Sequence, residues 1–256
     1  MKLNVVFPVV GVLTGIGVTA ALCRFGLDGL GPFALFPLLL VFWLLQRFKA
    51  AEIGFRWGQG CHYFLAVIYP VALLGLAALI AVAFKATDLT HTNWRATIIY
   101  VGWLTPVTTL LVVITEEGFF RGWLWASIQQ AGQSQAKTIV WTSLAFALWH
   151  LPVVIHEPRM PIYLLGACTA GLVWGMLRQV SGSIIVTSLS HGLWNGLAYP
   201  LFGTTDAGAL GIKNAAVFGP EKGLLGLVLN IMLMAAFWWW LNRDSPQSGN
   251  SFAPNS

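Results

Sequence analysis

The sequence predicts an all-α integral membrane protein, about eight transmembrane helices forming one bundle with a central polar cavity. Three observations predict it: too little charge for a water-facing shell, apolar runs of membrane-crossing length, and ionisable residues inside several of those runs. Of 256 residues, 57% are hydrophobic and 9% charged, with a mean hydropathy of +0.74; soluble domains carry about 25% charged residues. Fourteen basic and nine acidic residues cannot clothe a domain of this size in polar surface.

A net charge of +5 and a pI near 9.3 could suggest a nucleic-acid partner. The basic residues are instead scattered singly between apolar runs, which argues for loop anchors and against nucleic acid. Cys23, Cys61 and Cys168 are odd in number and lie in or beside apolar segments, so no disulfide framework or metal knuckle is implied.

A hydrocarbon core of about 30 Å takes about 20 apolar helical residues. Runs of that kind fall at 4–23, 31–47, 62–84, 97–129, 138–155, 161–177, 183–200 and 222–241. The first follows Lys2 and resembles a signal peptide, but Leu22 before Cys23 does not suit lipoprotein cleavage, and an uncleaved first helix is expected. The fourth is too long for a simple span. Arg47 to the Gly-Gln-Gly at 58–60 reads as an interfacial loop, and the Gly-rich stretch 203–220 as a loop bordering the site. Trp57, Trp94 and Trp238–Trp240 suit an aromatic belt. With alternating helices, eight basic residues against six favour an N-terminus inside. The expected organisation is a single polytopic domain over 1–243 with its core motifs in 97–200, and a disordered tail over 244–256, rich in Ser, Asn and Pro. A multi-pass protein of the cell (plasma or inner) membrane, in contact with lipids, is the expected localisation.

Within 97–129 stands Thr115-Glu116-Glu117-Gly118-Phe119-Phe120-Arg121. Each charge costs about 2.5 to 3.5 kcal/mol at a bilayer centre, so the three require partners or water. Glu117 and Arg121 are spaced i, i+4 with the acid first, the favourable order for one helix face. Glu116 is turned about 100° away and has no intrahelical partner. Two more polar sets interrupt apolar runs: Phe146 with His150, and His191 with Asn195, both at i, i+4. Counted from a flanking polar residue, Gln130 to Glu116, Lys137 to His150 and Arg178 to His191 each span 13 or 14 residues, about 20 Å of helix. All three groups are therefore expected at one depth, converging on one water-accessible cavity.

A carboxylate, two imidazoles and an amide suffice to add water to a carbonyl. Glu116 can serve as general base with a nearby histidine orienting the water, and His191 with Asn195 can donate to an oxyanion. Zinc held by two His and one Glu is the alternative. No HExxH is present, and Glu117 would then have to act as base; no cofactor is the preferred expectation. No GxSxG elbow or paired intramembrane Asp suggests another chemistry.

Glu116-Glu117-x-x-x-Arg121, Phe146-x-x-x-His150 and His191-x-x-x-Asn195, in this order on separate helices, resemble the three motifs of the CPBP family, which includes the CAAX prenyl endopeptidases and the bacterial Abi proteins. The resemblance implies an eight-helix membrane protease in which Glu116 and His150 activate water, His191 and Asn195 stabilise the oxyanion, and Glu117, Arg121 and Phe146 support them. It implies a protein substrate with a lipidated or apolar-tailed C-terminal segment. Gly118, where many relatives carry a bulkier apolar residue, is expected to widen the groove beside Glu116. Two other classes share the sequence features: a non-catalytic immunity or partner protein of this fold, and a proton-coupled transporter, which the absence of an internal repeat disfavours.

Overall fold

Eleven α-helical stretches account for most of the computed structural model, which describes residues 3–90, 92–204 and 208–243. The expected tail at 244–256 lies outside the described residues. Helix α1 (Leu3–Arg24) is followed by α2 (Gly31–Gln46), α3 (Gly60–Ala83) and α4 (Trp94–Ile114). A π-helical segment, Gly118–Leu124, then leads into α5 (Trp125–Gln130). Next come α6 (Gln135–Trp149), the single turn α7 (Leu151–Val154), α8 (Met160–Ser181), α9 (Ile184–Phe202), the short α10 (Ala215–Phe218) and α11 (Leu224–Asn242). Every apolar run read from the sequence is helical, and there is no strand among the described residues.

Among the described residues, six spans are long and apolar enough to cross a membrane: Val5–Arg24, Asp28–Gln46, Gly60–Ala83, Trp94–Gln130, Met160–Ser181 and Leu224–Asn242. The other two runs of the expected eight, α6 and α9, fall outside that measure. The reason is physical: α6 has only 15 residues before it breaks at His150, and α9 spends its middle on Ser188, Ser190, His191 and Asn195. Both contribute side chains to the polar interior.

The bundle is apolar outside and polar within. Leu13, Phe64, Leu79, Ile98, Leu110 and Met232 are more than 60% exposed, whereas Glu117, Arg121, Thr187 and Ser188 are at 0%. Water does not tolerate so much contiguous apolar surface; lipid does, so this is a multi-pass membrane protein. Trp57 and Trp239 stand exposed near helix ends, as amphipathic rings do at an interface.

Local chemistry sets the helix ends. The Asn93 side chain accepts from Ala96 N at 3.1 Å, and Ser183 Oγ from Ile185 N and Val186 N at 3.2 and 3.3 Å; each satisfies donors that a first turn leaves orphaned. Gly182, at φ 65°, closes α8 in the left-handed conformation, its N–H donating to Arg178 O.

Packing joins α4 to α9 most extensively, then α6 to α8 and α3 to α9, with α1 lying over α2, α5, α6 and α7. The α4 and α9 backbones meet through Gly192 and Gly196, where a Cβ would overlap Thr109 and Thr105. Small residues four apart permit this approach, which no hydrophobic force supplies within lipid. A core of Leu39, Tyr69, Phe120, Trp149 and Trp174 continues around the centre.

Two residues that read as loop or groove features are placed differently. Arg178, counted among the loop cations that bias orientation, is buried, with Nε donating to Arg121 O at 3.0 Å. It braces the π-helical segment from behind and carries no weight as a surface charge. Gly118 does not face the groove: a Cβ there would lie 2.5 Å from Val113 O and 2.8 Å from Leu39 Cδ2. Its lack of a side chain lets the chain fold under α4 and against α2, so it does not widen the space beside Glu116.

Candidate active site

The run expected as one long helix is broken at Thr115, whose φ of −111° and ψ of −100° end α4. Thr115 Oγ donates to Leu111 O at 2.8 Å, and Thr115 O accepts from Phe119 N at 2.8 Å, so the break is hydrogen-bonded on both sides. Glu116 and Glu117 sit at this junction and not inside a continuous helix, and the π-helical turn begins with the next residue. Such turns recur at functional sites because they aim side chains that a regular helix would stack.

The two carboxylates are separated by this geometry. Glu117 is fully buried, with Oε1 3.1 Å from Arg121 Nη1 and 3.0 Å from His191 Nδ1. Arg121 is equally buried; its Nη2 donates to Gly171 O at 3.3 Å, and its guanidinium lies over the Phe146 ring at 4.5 Å. The pairing expected from i, i+4 spacing is therefore present. Glu116 faces the other way, lining a cavity of about 760 Å³, with Oε2 3.8 Å from His191 Nε2.

His191 is fixed on every side. Glu117 holds Nδ1, Glu116 approaches Nε2, and the Trp174 indole stacks on the imidazole with centroids 4.0 Å apart and planes 19° apart. The indole N–H of Trp174 in turn donates to Ser190 Oγ at 3.2 Å. An ionised Glu117 can only accept, so Nδ1 carries a proton and Nε2 is left to face the cavity.

His150 caps α6. Its Nδ1 donates to Phe146 O at 2.8 Å, and since a carbonyl can only accept, the other nitrogen, Nε2, is the basic one. The Phe146 ring meets the His150 ring edge-on at 4.7 Å and the His191 ring at 5.8 Å. Phe146 thus spaces the two histidines while its backbone sets the tautomer of one.

Glu116, Phe146, His150, His191 and Asn195 all line the one cavity; Glu117 and Arg121 lie behind it. Helix α9 reaches the carboxylates by direct packing on α4, whereas α6 arrives by packing on α8 and on the π-helical segment. Gly203, Thr204, Ile212 and Pro220 from the Gly-rich loop line the same cavity. Among the described residues, no three His, Cys, Asp or Glu side chains form a group suited to a metal ion.

The sequence did not single out three cavity residues. Trp174 and Tyr163 looked like ordinary apolar-helix aromatics. Glu221 looked like a loop charge, yet Oε1 accepts from Trp194 Nε1 at 3.0 Å and the side chain faces the cavity. Burial pushes its carboxyl above the usual range, against the pull of the Trp194 hydrogen bond and of Lys222.

Residues 98–197 match the family described as Rce1-like, the type II CAAX prenyl endopeptidases. This segment runs from early α4 to late α9 and holds all three motifs. No curated protein matches the chain.

Proposed function

Because residues 98–197 match the family of Rce1-like type II CAAX prenyl endopeptidases, we propose that the chain is an intramembrane endopeptidase. Its substrate is a protein with a prenylated or otherwise apolar-tailed C-terminal segment held in the cell membrane. The observation carrying this reading is that Glu116, His150, His191 and Asn195, from three separate helical segments, line one cavity while Arg121 neutralises Glu117 behind them.

In the proposed reaction Glu116 takes a proton from a water whose other hydrogen is held by His150 Nε2. The resulting hydroxide adds to the scissile carbonyl carbon, and the carbonyl π electrons move to oxygen. The oxyanion is held by the Asn195 amide and by His191 Nε2–H, which donates when the ring is an imidazolium. Collapse of the intermediate breaks the C–N bond, and the proton on Glu116 passes to the leaving amine.

The proposed chemistry is independent of metal. Zinc, the alternative, would take Glu116 as a ligand and leave Glu117, already committed to Arg121 and His191, as base. Purified protein in detergent, assayed on prenylated and unprenylated tail peptides with metal analysis alongside, tests both parts. Cleavage lost in Glu116→Ala, His150→Ala and His191→Ala without stoichiometric zinc supports the reading. Retained cleavage in Glu116→Ala overturns it, and full biological activity in all three variants would identify a non-catalytic member of the fold.

A further inference from the structure

The catalytic proposal uses one face of the cavity and leaves a second carboxylate unexplained. Glu221 stands on the loop between α10 and α11, beyond the segment that carries the three motifs. Its Oε1 accepts from the Trp194 indole, while Oε2 makes no hydrogen bond among the described residues and is not sealed from the cavity. Lys222 and His191 pull this carboxyl down less than burial pushes it up, so a cation bound at Oε2 would relieve the remaining cost of desolvation.

The charge balance around it points the same way. The charged groups lining the cavity are Asp28, Glu116, Glu221 and Lys222. Lys222 turns to Glu157, with Nζ 3.3 Å from Oε1, and a protonated His191 would be taken up by Glu116 and Glu117, so among the described residues these cations are engaged elsewhere while Asp28 and Glu221 remain acids of the lining. A cleft with walls of one sign draws in the opposite charge. Trp194, Tyr163 and Tyr199 line the same space, and a carboxylate among aromatic rings is the environment that favours an ammonium or guanidinium group.

We propose that Glu221 is a cation-recognition subsite, selecting substrates in which a lysine or arginine side chain lies close to the apolar tail. This rests on the proteolytic reading for the nature of the substrate, but not for its test. Trp194 bridges the two functions: its helix carries Asn195 and His191, and its indole N–H orients Glu221. A basic side chain seated at Glu221 would therefore fix the register of the peptide relative to the oxyanion donors.

The test is binding of fluorescent S-farnesyl peptides to the full chain in detergent, in a Glu116→Ala background so that turnover plays no part. Lysine is moved through each position near the farnesyl cysteine and compared with isosteric, uncharged norleucine. At one position lysine should bind about tenfold tighter, or about 1.4 kcal/mol. That ratio should fall to near one in Glu221→Gln, which still accepts from Trp194, and survive in part in Glu221→Asp, which keeps the charge. A ratio near one at every position in the parent, or an undiminished ratio in Glu221→Gln, overturns the subsite. Lysine preference in binding with no cleavage of any peptide by the Glu116-containing protein would leave the subsite standing and refute the peptidase reading instead.

Discussion

The imidazole Nδ1 of His191 lies 3.0 Å from Oε1 of Glu117, the same oxygen that receives Arg121 at 3.1 Å. One carboxylate oxygen thus orders both a cation and a histidine, so charge and orientation in the site are set together. Glu117 is therefore the organiser of His191, and in the proposed reaction Glu116 is the group that meets the substrate.

This division makes the two acids behave differently on substitution. Glu116→Gln should lower kcat by at least about 100-fold, the scale of general-base removal, with little change in melting temperature, since its nearest charged neighbour is 3.8 Å away. Glu117→Gln should lower both. Cleavage rates and thermal unfolding in the same detergent check the contrast.

Arg121 supplies a stability prediction. Removing one partner of a buried pair leaves an uncompensated charge and costs about 3 to 5 kcal/mol, so Arg121→Met should be strongly destabilised. The double variant Arg121→Met with Glu117→Gln should recover much of that loss. Denaturation midpoints of the three proteins measure the coupling directly.

Trp174→Phe keeps a ring beside His191 but removes the hydrogen bond to Ser190; Trp174→Ala removes the stack as well. The expected effect is a modest fall in kcat for Phe and a fall of more than tenfold for Ala, with KM little altered. Steady-state kinetics separates these from a general loss of folding.

Gly118→Leu should destabilise the protein by about 1 to 3 kcal/mol as an overpacked position does, because the new side chain meets the Val113 carbonyl and Leu39. It should not narrow substrate choice. A changed peptide preference with unchanged stability would show that Gly118 faces the groove after all.

Glu221 gives a pH dependence. Its carboxyl is raised in the folded protein by burial, opposed by Trp194, Lys222 and His191. The stability it contributes is therefore fully present below the ordinary carboxylate value of 4.5 and declines as pH rises through the raised value. Melting temperatures across that window should lose this component in Glu221→Gln.

Much of the site was legible because its signals are local. A residue spacing of four pairs Glu117 with Arg121, and charges and imidazoles inside apolar runs single out Glu116, His150 and His191, which line one cavity; the depth count to His191 started from Arg178, which is buried. What stayed hidden depends on distant packing. The break at Thr115 arises where α4 meets α2 and α9, and nothing in Ile-Thr-Glu-Glu announces a π-helical turn. Arg178 has the sequence context of a loop cation, but the Arg121 carbonyl lies within its reach only once α8 has docked. Glu221 becomes a cavity residue through Trp194, 27 positions earlier.

The π-helical turn after Glu117 also makes the chain's angular phase a single local quantity. A regular helix advances about 100° per residue, so winding Gly118–Leu124 as an ordinary helix at its present length would swing everything beyond it by about that angle. Trp123 would leave Gln46, Trp125 would leave Arg178, and α5 would present a different stripe to α1 and α6. The surplus residue acts as a gear tooth: it lets the segment before it answer to the cavity and the segment after it answer to the bundle, with neither dictating the rotation of the other.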